Sequence, residues 1–297
     1  MCYQYFYRFQ TQKGWARFMK FYRYWVRIEV PINFDDDRKA VICGKSNLSK
    51  ADALEDAENT VKTIRKRIAQ NSPYQKPDDY EVPIKEELLE ELAPGNIITR
   101  NYYGAEILNT ETLIFADIDN TCFPKRYIPG FIGRLFGKKE ETKAAYQERI
   151  KAAVFNSIKS EWIRESHIRI YKTHSGYRVL IAGLNIKPGS AECSAILNGM
   201  NSDKLYSVLC RKQECCRARL TPKPHRLKLS KFRFKYPYSP NVMGDISFWI
   251  QKYQKKSEEF SVCRLLKTFG KEPDEKDLQI IRYHDEKCKV SEQFPLA

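Results

Sequence analysis

The chain has 297 residues, 42% of them hydrophobic and 13% aromatic, which is enough to bury a sizeable core and excludes a disordered class. Its formal net charge of +15 calls for an anionic partner, nucleic acid before membrane, unless the charge only keeps a basic surface soluble. Nine irregularly spaced cysteines, two of them adjacent (Cys215 and Cys216), exclude a small disulfide framework and point to reduced thiols in a cytoplasmic protein.

The first thirty residues are aromatic and basic and lack the apolar segment of a signal peptide. No run of about 18 apolar residues occurs, so no membrane span is expected. Residues 24–32 and 39–43 read as strands. Ser49 then starts a helix, with Asp52 as its capping-box partner. Leu54, Ala57, Val61, Ile64 and Ile68 follow at helical spacing and predict one buried stripe. Residues 71–83 hold three prolines and read as a linker. Pro83 opens a short acidic helix that ends near Pro94-Gly95.

From Asn96 the pattern changes. "NIITRNYYGAEIL" and "TLIFADID" read as two strands, taken as an antiparallel pair. Residues 124–138 read as a loop with a helical turn, and 140–164 as a helix with Ile150, Val154, Ile158 and Trp162 along one face. "HIRIYKTHSGYRVLIAG" reads as a hairpin around Ser175-Gly176. Ser190 and Ser202 are expected to cap two short helices. Residues 211–235 carry ten Lys/Arg and one acidic residue, Glu214, a net +9 within the chain's +15. The tail is mixed in charge and predicted helical near 258–269. The sum is an α+β fold, with a mixed or antiparallel sheet and flanking helices. Residues 1–80 form a small N-terminal αβ region, 81–255 the α+β core and 256–297 a C-terminal helical tail.

Chemistry concentrates in three places. At the end of "LIFADID", strand alternation points Asp117 and Asp119 the same way. Two such carboxylates can share Mg²⁺ or Mn²⁺ and leave coordination sites for phosphate oxygens; the bland alternative is a strand end with two solvated aspartates. In the hairpin, Lys172, His174, Ser175 and Arg178 cluster near a small-residue turn that could hold a phosphate, or else decorate a solvated surface. In "RARLTPKPHR", Arg217 and Arg219 share one strand face, and Pro222 and Pro224 stiffen the chain that carries Lys223, His225 and Arg226. Arginine there suits bidentate phosphate recognition. "KFRFKYPY" follows, with aromatics between basic residues. It reads either as a surface that tracks a nucleic-acid backbone and stacks bases, or as an edge strand with its aromatics in the core. Cys210, Cys215, Cys216 and His225 could bind zinc, but C-x4-C-C is not a usual zinc spacing and buried free thiols are the expectation. No P-loop, G-x-G-x-x-G or G-x-S-x-G occurs, which disfavours the nucleotide and hydrolase chemistries those motifs serve.

Three resemblances bear on these residues. The order "IFADID", "YKTHSGYRVLI", "RARLTPKPHR" resembles archaeo-eukaryotic primase-like polymerases. That resemblance implies a primase-like core performing metal-dependent nucleotidyl transfer. Asp117 and Asp119 would hold the metal, and Asp245 is the best match for the third carboxylate. The basic strand would contact nucleotide or nucleic acid. "DIDNT" also resembles the first motif of haloacid dehalogenase-like phosphohydrolases. This implies Asp117 as nucleophile, Asp119 as acid/base and Thr173 in the second motif. Finally, the run from "TRNYYGAEIL" through "CCRARLTPKPHR" is similar to a bacterial family marked by the RARLTPKP motif, which brings no assigned activity; the likeness extends over about residues 20–230. A nucleic-acid-binding module without catalysis stays open beside the two enzymes.

Overall fold

A computed structural model describes residues 19–31, 39–70, 83–123 and 141–297. The expected linker at 71–83 lies outside these residues except for Pro83, and the loop expected at 124–138 lies wholly outside them. The fold is α+β, with three antiparallel sheets and seven α-helices among the described residues.

Strands β1 (Tyr24–Pro31) and β2 (Lys39–Ser46) form a two-stranded sheet. Helix α1 (Lys50–Ala69) packs on it. Ser49 caps the helix by accepting from the Asp52 N–H, and its hydroxyl donates to the Asp52 carboxylate, so the cap forms while the reciprocal partner of the expected box is the Ser49 side chain and not its backbone N–H. The buried stripe differs from the expected one. Ala53, Ala57 and Val61 face the sheet, while Leu54, Ile64 and Ile68 are exposed. Small residues win that face because Gly44 of β2 comes so close that a Cβ there would sit 2.0 Å from the Ala53 carbonyl oxygen.

Residues 87–93, expected as helix, are strand β3 (Glu87–Ala93). It pairs with β4 (Asn96–Arg100), which pairs with β5 (Glu106–Thr110), which pairs with β9 (Cys216–Arg219). The leucine spacing of "ELLEELA" suits a helix, but two register shifts in β3 let Leu89 and Leu92 both reach the core from an extended chain.

The third sheet has the order β10-β7-β8-β6. Strand β6 (Ile114–Asp119) pairs with β8 (Gly176–Ala182) and not with the preceding strand, as the sequence reading had it. Helices α2 (Lys143–Asn156) and α3 (Ser160–Glu165) lead from β6 to β7 (His167–Thr173), and β8 lies between those two strands in a split β-α-β arrangement. The long helix expected over 140–164 breaks after Asn156, with Ile150 and Val154 buried as predicted.

Helices α4 (Ala191–Gly199) and α5 (Lys204–Gln213) lead to β9. Ser190 caps α4 as expected, whereas Asp203, not Ser202, caps α5 by accepting from the Tyr206 N–H. Helix α6 (Met243–Ser257) carries a second apolar cluster with Leu227 and Phe232. The stretch expected to be helical near 258–269 is instead edge strand β10 (Cys263–Gly270), followed by helix α7 (Glu275–Cys288). Val262 and Cys263 of this region and Ile280, Ile281 and Cys288 of α7 lie in the main core, so residues 256–297 are part of the core and not an appended tail. That core joins both four-stranded sheets: Ile98 and Leu108 from one meet Phe115, Ile168 and Val179 from the other.

Candidate functional site

Strand β6 is an edge strand, and its apolar residues anchor it so that its last turn projects from the core. Ile114, Phe115, Ala116 and Ile118 are buried, Asp117 is exposed and Asp119 half-buried. Alternation thus places both carboxylates on one side, as the sequence predicts. The open edge is covered by the loop before α5. The Asp117 N–H donates to Ser202 Oγ (3.2 Å), Ser202 Oγ donates to the Asp117 carbonyl (3.1 Å), and the Asp203 N–H donates to the same carbonyl (2.8 Å). A third carboxylate, Asp203, therefore lies beside the pair. The charges of Asp203, Asp119 and Asp117 all reach the Cys122 thiol, whose pKa burial, above all, pushes up. Asp245, the candidate from sequence, is exposed in the first turn of α6 and makes no hydrogen bond or ion pair with these groups.

The hairpin turn docks onto the end of β6. Lys172 pairs with Tyr177, so His174 and Ser175 form the turn and Gly176 already belongs to β8. The Asn120 N–H donates to the Ser175 carbonyl at 2.9 Å. A Cβ on Gly176 would sit 2.0 Å from the Ile118 carbonyl oxygen, so only glycine permits this approach. Ser175 Oγ accepts from Arg226 Nη2 and contacts His174 Nδ1, both at 2.9 Å.

The basic segment reaches the same place. Tyr253 of α6 donates to the Pro222 carbonyl at 2.6 Å and lies 2.8 Å from Thr221 Oγ1, while Pro222 and Pro224 are buried. The prolines fix the chain, and Lys223 and Arg226 turn toward the aspartates. The electrostatics record the gathering. Burial and the neighbouring Arg178 push Arg219 down to about 10, with Asp117 opposing. Burial, Arg219 and Arg226 lower Lys223 against the pull of Asp117 and Asp119. Burial lowers Arg226 against the same two carboxylates. His174 and His225 are both held below the ordinary imidazole value by burial and by the charges of Arg226 and Lys223. Among the described residues, no lysine or arginine closes an ion pair with Asp117 or Asp119.

Three expected site residues serve other purposes. Arg217 forms a bidentate pair with Glu86, at 2.6 and 2.7 Å, and donates to Gln213 Oε1. Lys172 lies over the Tyr177 ring, 4.1 Å from its centroid, and burial lowers its pKa. Arg178 is buried; its Nη1 donates to the Arg219 carbonyl (3.0 Å) and to His284 Nε2 (3.0 Å). "KFRFKYPY" is not a strand: Phe232 is buried and meets Trp249 with centroids 4.8 Å apart, Phe234 and Tyr238 pack against that cluster while half-buried, and Lys231, Arg233 and Lys235 are exposed.

The zinc set considered from sequence is not assembled. Cys215 and Cys216 face opposite sides of the sheet. Cys216 joins Cys193 and Cys210, and His225 is exposed elsewhere. All eight described cysteines are free. One group of three metal-capable side chains does come together among the described residues: Cys263, His284 and Cys288, all buried, with ligand atoms within 4.8 Å of one another. Nothing in the sequence reading singled it out, although the H-x3-C spacing of "HDEKC" places two ligands on one helical face. The three aspartates do not form such a group.

Comparison of the chain with protein-family models, with curated proteins and with solved structures finds no match. Among the described residues no helix is long and apolar enough to cross a membrane.

Proposed function

We propose that this protein binds nucleotide or nucleic acid at the β6 edge and performs metal-dependent nucleotidyl transfer there, in the cytoplasm. One observation carries the reading. Two same-side carboxylates, with no ion-pair partner among the described residues, face a partly buried, mutually repelling set of cations made of Arg219, Lys223 and Arg226. A phosphate chain would relieve the cation repulsion. A divalent ion would bridge phosphate and carboxylates, since Mg²⁺ typically takes one or two protein carboxylates and completes its shell with water and phosphate oxygens. Asp117 and Asp119 would hold Mg²⁺ or Mn²⁺. A metal held there would supply the activation of a 3′-hydroxyl and the neutralisation of triphosphate charge. Arg226 and Ser175 would orient the phosphates, and His174 and His225 would add donors. The phosphohydrolase reading has less support, because after Thr173 the chain turns through two residues into β8, where that family's second motif leads into a helix.

The test mixes purified protein with labelled NTPs or dNTPs, Mg²⁺ or Mn²⁺, and primed or unprimed single-stranded template, with binding read by gel shift in the same tubes. Extension by wild type and none by the double variant Asp117→Ala/Asp119→Ala is expected. A shift by both proteins without products would leave a non-catalytic binding module.

A further inference from the structure

Beneath this site, Cys263 opens β10, and His284 and Cys288 lie one turn apart on α7, all three fully buried. The imidazole is oriented as a metal ligand would be. Arg178 Nη1 donates to His284 Nε2, and arginine can only donate, so the ring proton sits on Nδ1 and is given to Asp285 Oδ1 at 2.9 Å. Asp285 is itself fixed by the Tyr171 hydroxyl (2.8 Å) and by Arg169 (2.6 Å). The carboxylate behind the imidazole is the outer-shell partner that metal-bound histidines characteristically have, and the two sulfurs lie within 4.8 Å on the other side, where Arg178 holds the Nε2 lone pair until an ion takes it. The other buried cysteine group, Cys193, Cys210 and Cys216, has no histidine and reads as apolar packing.

We propose that Cys263, His284 and Cys288 bind one Zn²⁺, with a water in the fourth position. Two thiols and one imidazole suit a tetrahedral zinc site. Bond lengths of about 2.3 Å to sulfur and about 2.0 Å to nitrogen put tetrahedral ligands roughly 3.5–3.8 Å apart, inside the observed limit. On loading, both thiols release their protons and the ion takes the Nε2 lone pair. Two thiolates cancel the ion's charge, so Arg178 is not left beside a net positive centre. It keeps the Arg219 carbonyl, donates to the Cys288 sulfur, already 3.8 Å away, and stays opposite Asp117 in the β6–β8 register. The ion would fasten α7 to β10, the far edge strand of the sheet that carries the aspartates.

The test is metal content by mass spectrometry on protein purified from zinc-supplemented cells, followed by Co²⁺ substitution read by absorbance. One zinc per chain is expected, with sulfur-to-cobalt charge-transfer bands. Both should be lost in His284→Gln and Cys288→Ser and retained in Cys193→Ser and in Asp117→Ala/Asp119→Ala. Retention in the aspartate variant separates this site from the proposed nucleotidyl site. If the ligand variants fail to fold, the cobalt spectrum of the wild type decides. Folded wild-type protein with neither zinc nor charge-transfer bands, a Cys263–Cys288 disulfide on peptide mapping, or metal retained in folded His284→Gln would overturn the proposal.

Discussion

Two arginines, two residues apart in one four-residue strand, have opposite expected roles, and Arg217→Met separates them. The Arg217 guanidinium is bound by both Glu86 oxygens, with side chains only 16% and 13% exposed. Burial works against its charge, yet Glu86 more than offsets that and holds its pKa above the ordinary value. Glu86 also accepts from Thr99 Oγ1 at 2.6 Å, so methionine at 217 leaves a half-satisfied buried carboxylate between two strands. Removing one partner of a buried pair costs about 3–5 kcal/mol. The residual exposure brings this case below that range, to about 2–3 kcal/mol. For a chain of this size that is a melting-temperature loss of roughly 3–5 °C. Thermal and urea unfolding by circular dichroism measure the loss, and gel shift on single-stranded DNA measures binding. Arg217→Met should melt earlier and bind as wild type, while Arg219→Met should fold and bind weakly. An Arg217→Met protein that melts with wild type, or loses as much binding as Arg219→Met, would refute this division of labour.

Gly176→Ala should cost at least about 2 kcal/mol by the same melts, because its methyl group meets the Ile118 backbone and no side-chain rotation relieves the overlap. Lys223→Ala/Arg226→Ala should leave the melt nearly unchanged and lower the slope of log affinity against log salt by about 1.4 for a single strand; an unchanged slope would remove both residues from the interface. His174 and His225, both with depressed pKa, are neutral at pH 7 and gain charge only as pH falls below the usual imidazole range. Nucleic-acid affinity should therefore rise only as pH drops below about 6.5, and His174→Gln/His225→Gln should flatten that rise relative to wild type.

What the sequence made legible was local. The Ser49 cap before α1, the alternation that pairs Asp117 with Asp119, and the proline-stiffened basic turn are each written within a few residues. Tertiary demands overrode the rest. "ELLEELA" has helical spacing and propensity, but β4 needed a partner and two register shifts accommodated the leucines. "CRLLKTFG" carries little alternation because β10 is an edge strand with its charges outward. Asp203 takes the cap that Ser202 was expected to supply, and only the fold brings its backbone to the Asp117 carbonyl. Arg217 and Arg219 carry identical local signals, and only a glutamate 131 residues away distinguishes them.

The sheet that bears the aspartates is finished late. Strand β7 has β8 on one side, and its other side waits for β10, nearly a hundred residues further along the chain. Helix α7, which closes the core over Phe115 and Tyr171 through His284, comes later still. During synthesis, β6, β7 and β8 can therefore pair while one edge and one apolar face are still uncovered. A chain interrupted near residue 256 would retain every proposed nucleotidyl-site residue and still lack the wall behind them. Its exposed β7 edge would be a template for pairing with another chain. Such a fragment should accumulate as aggregate and not as a smaller active protein.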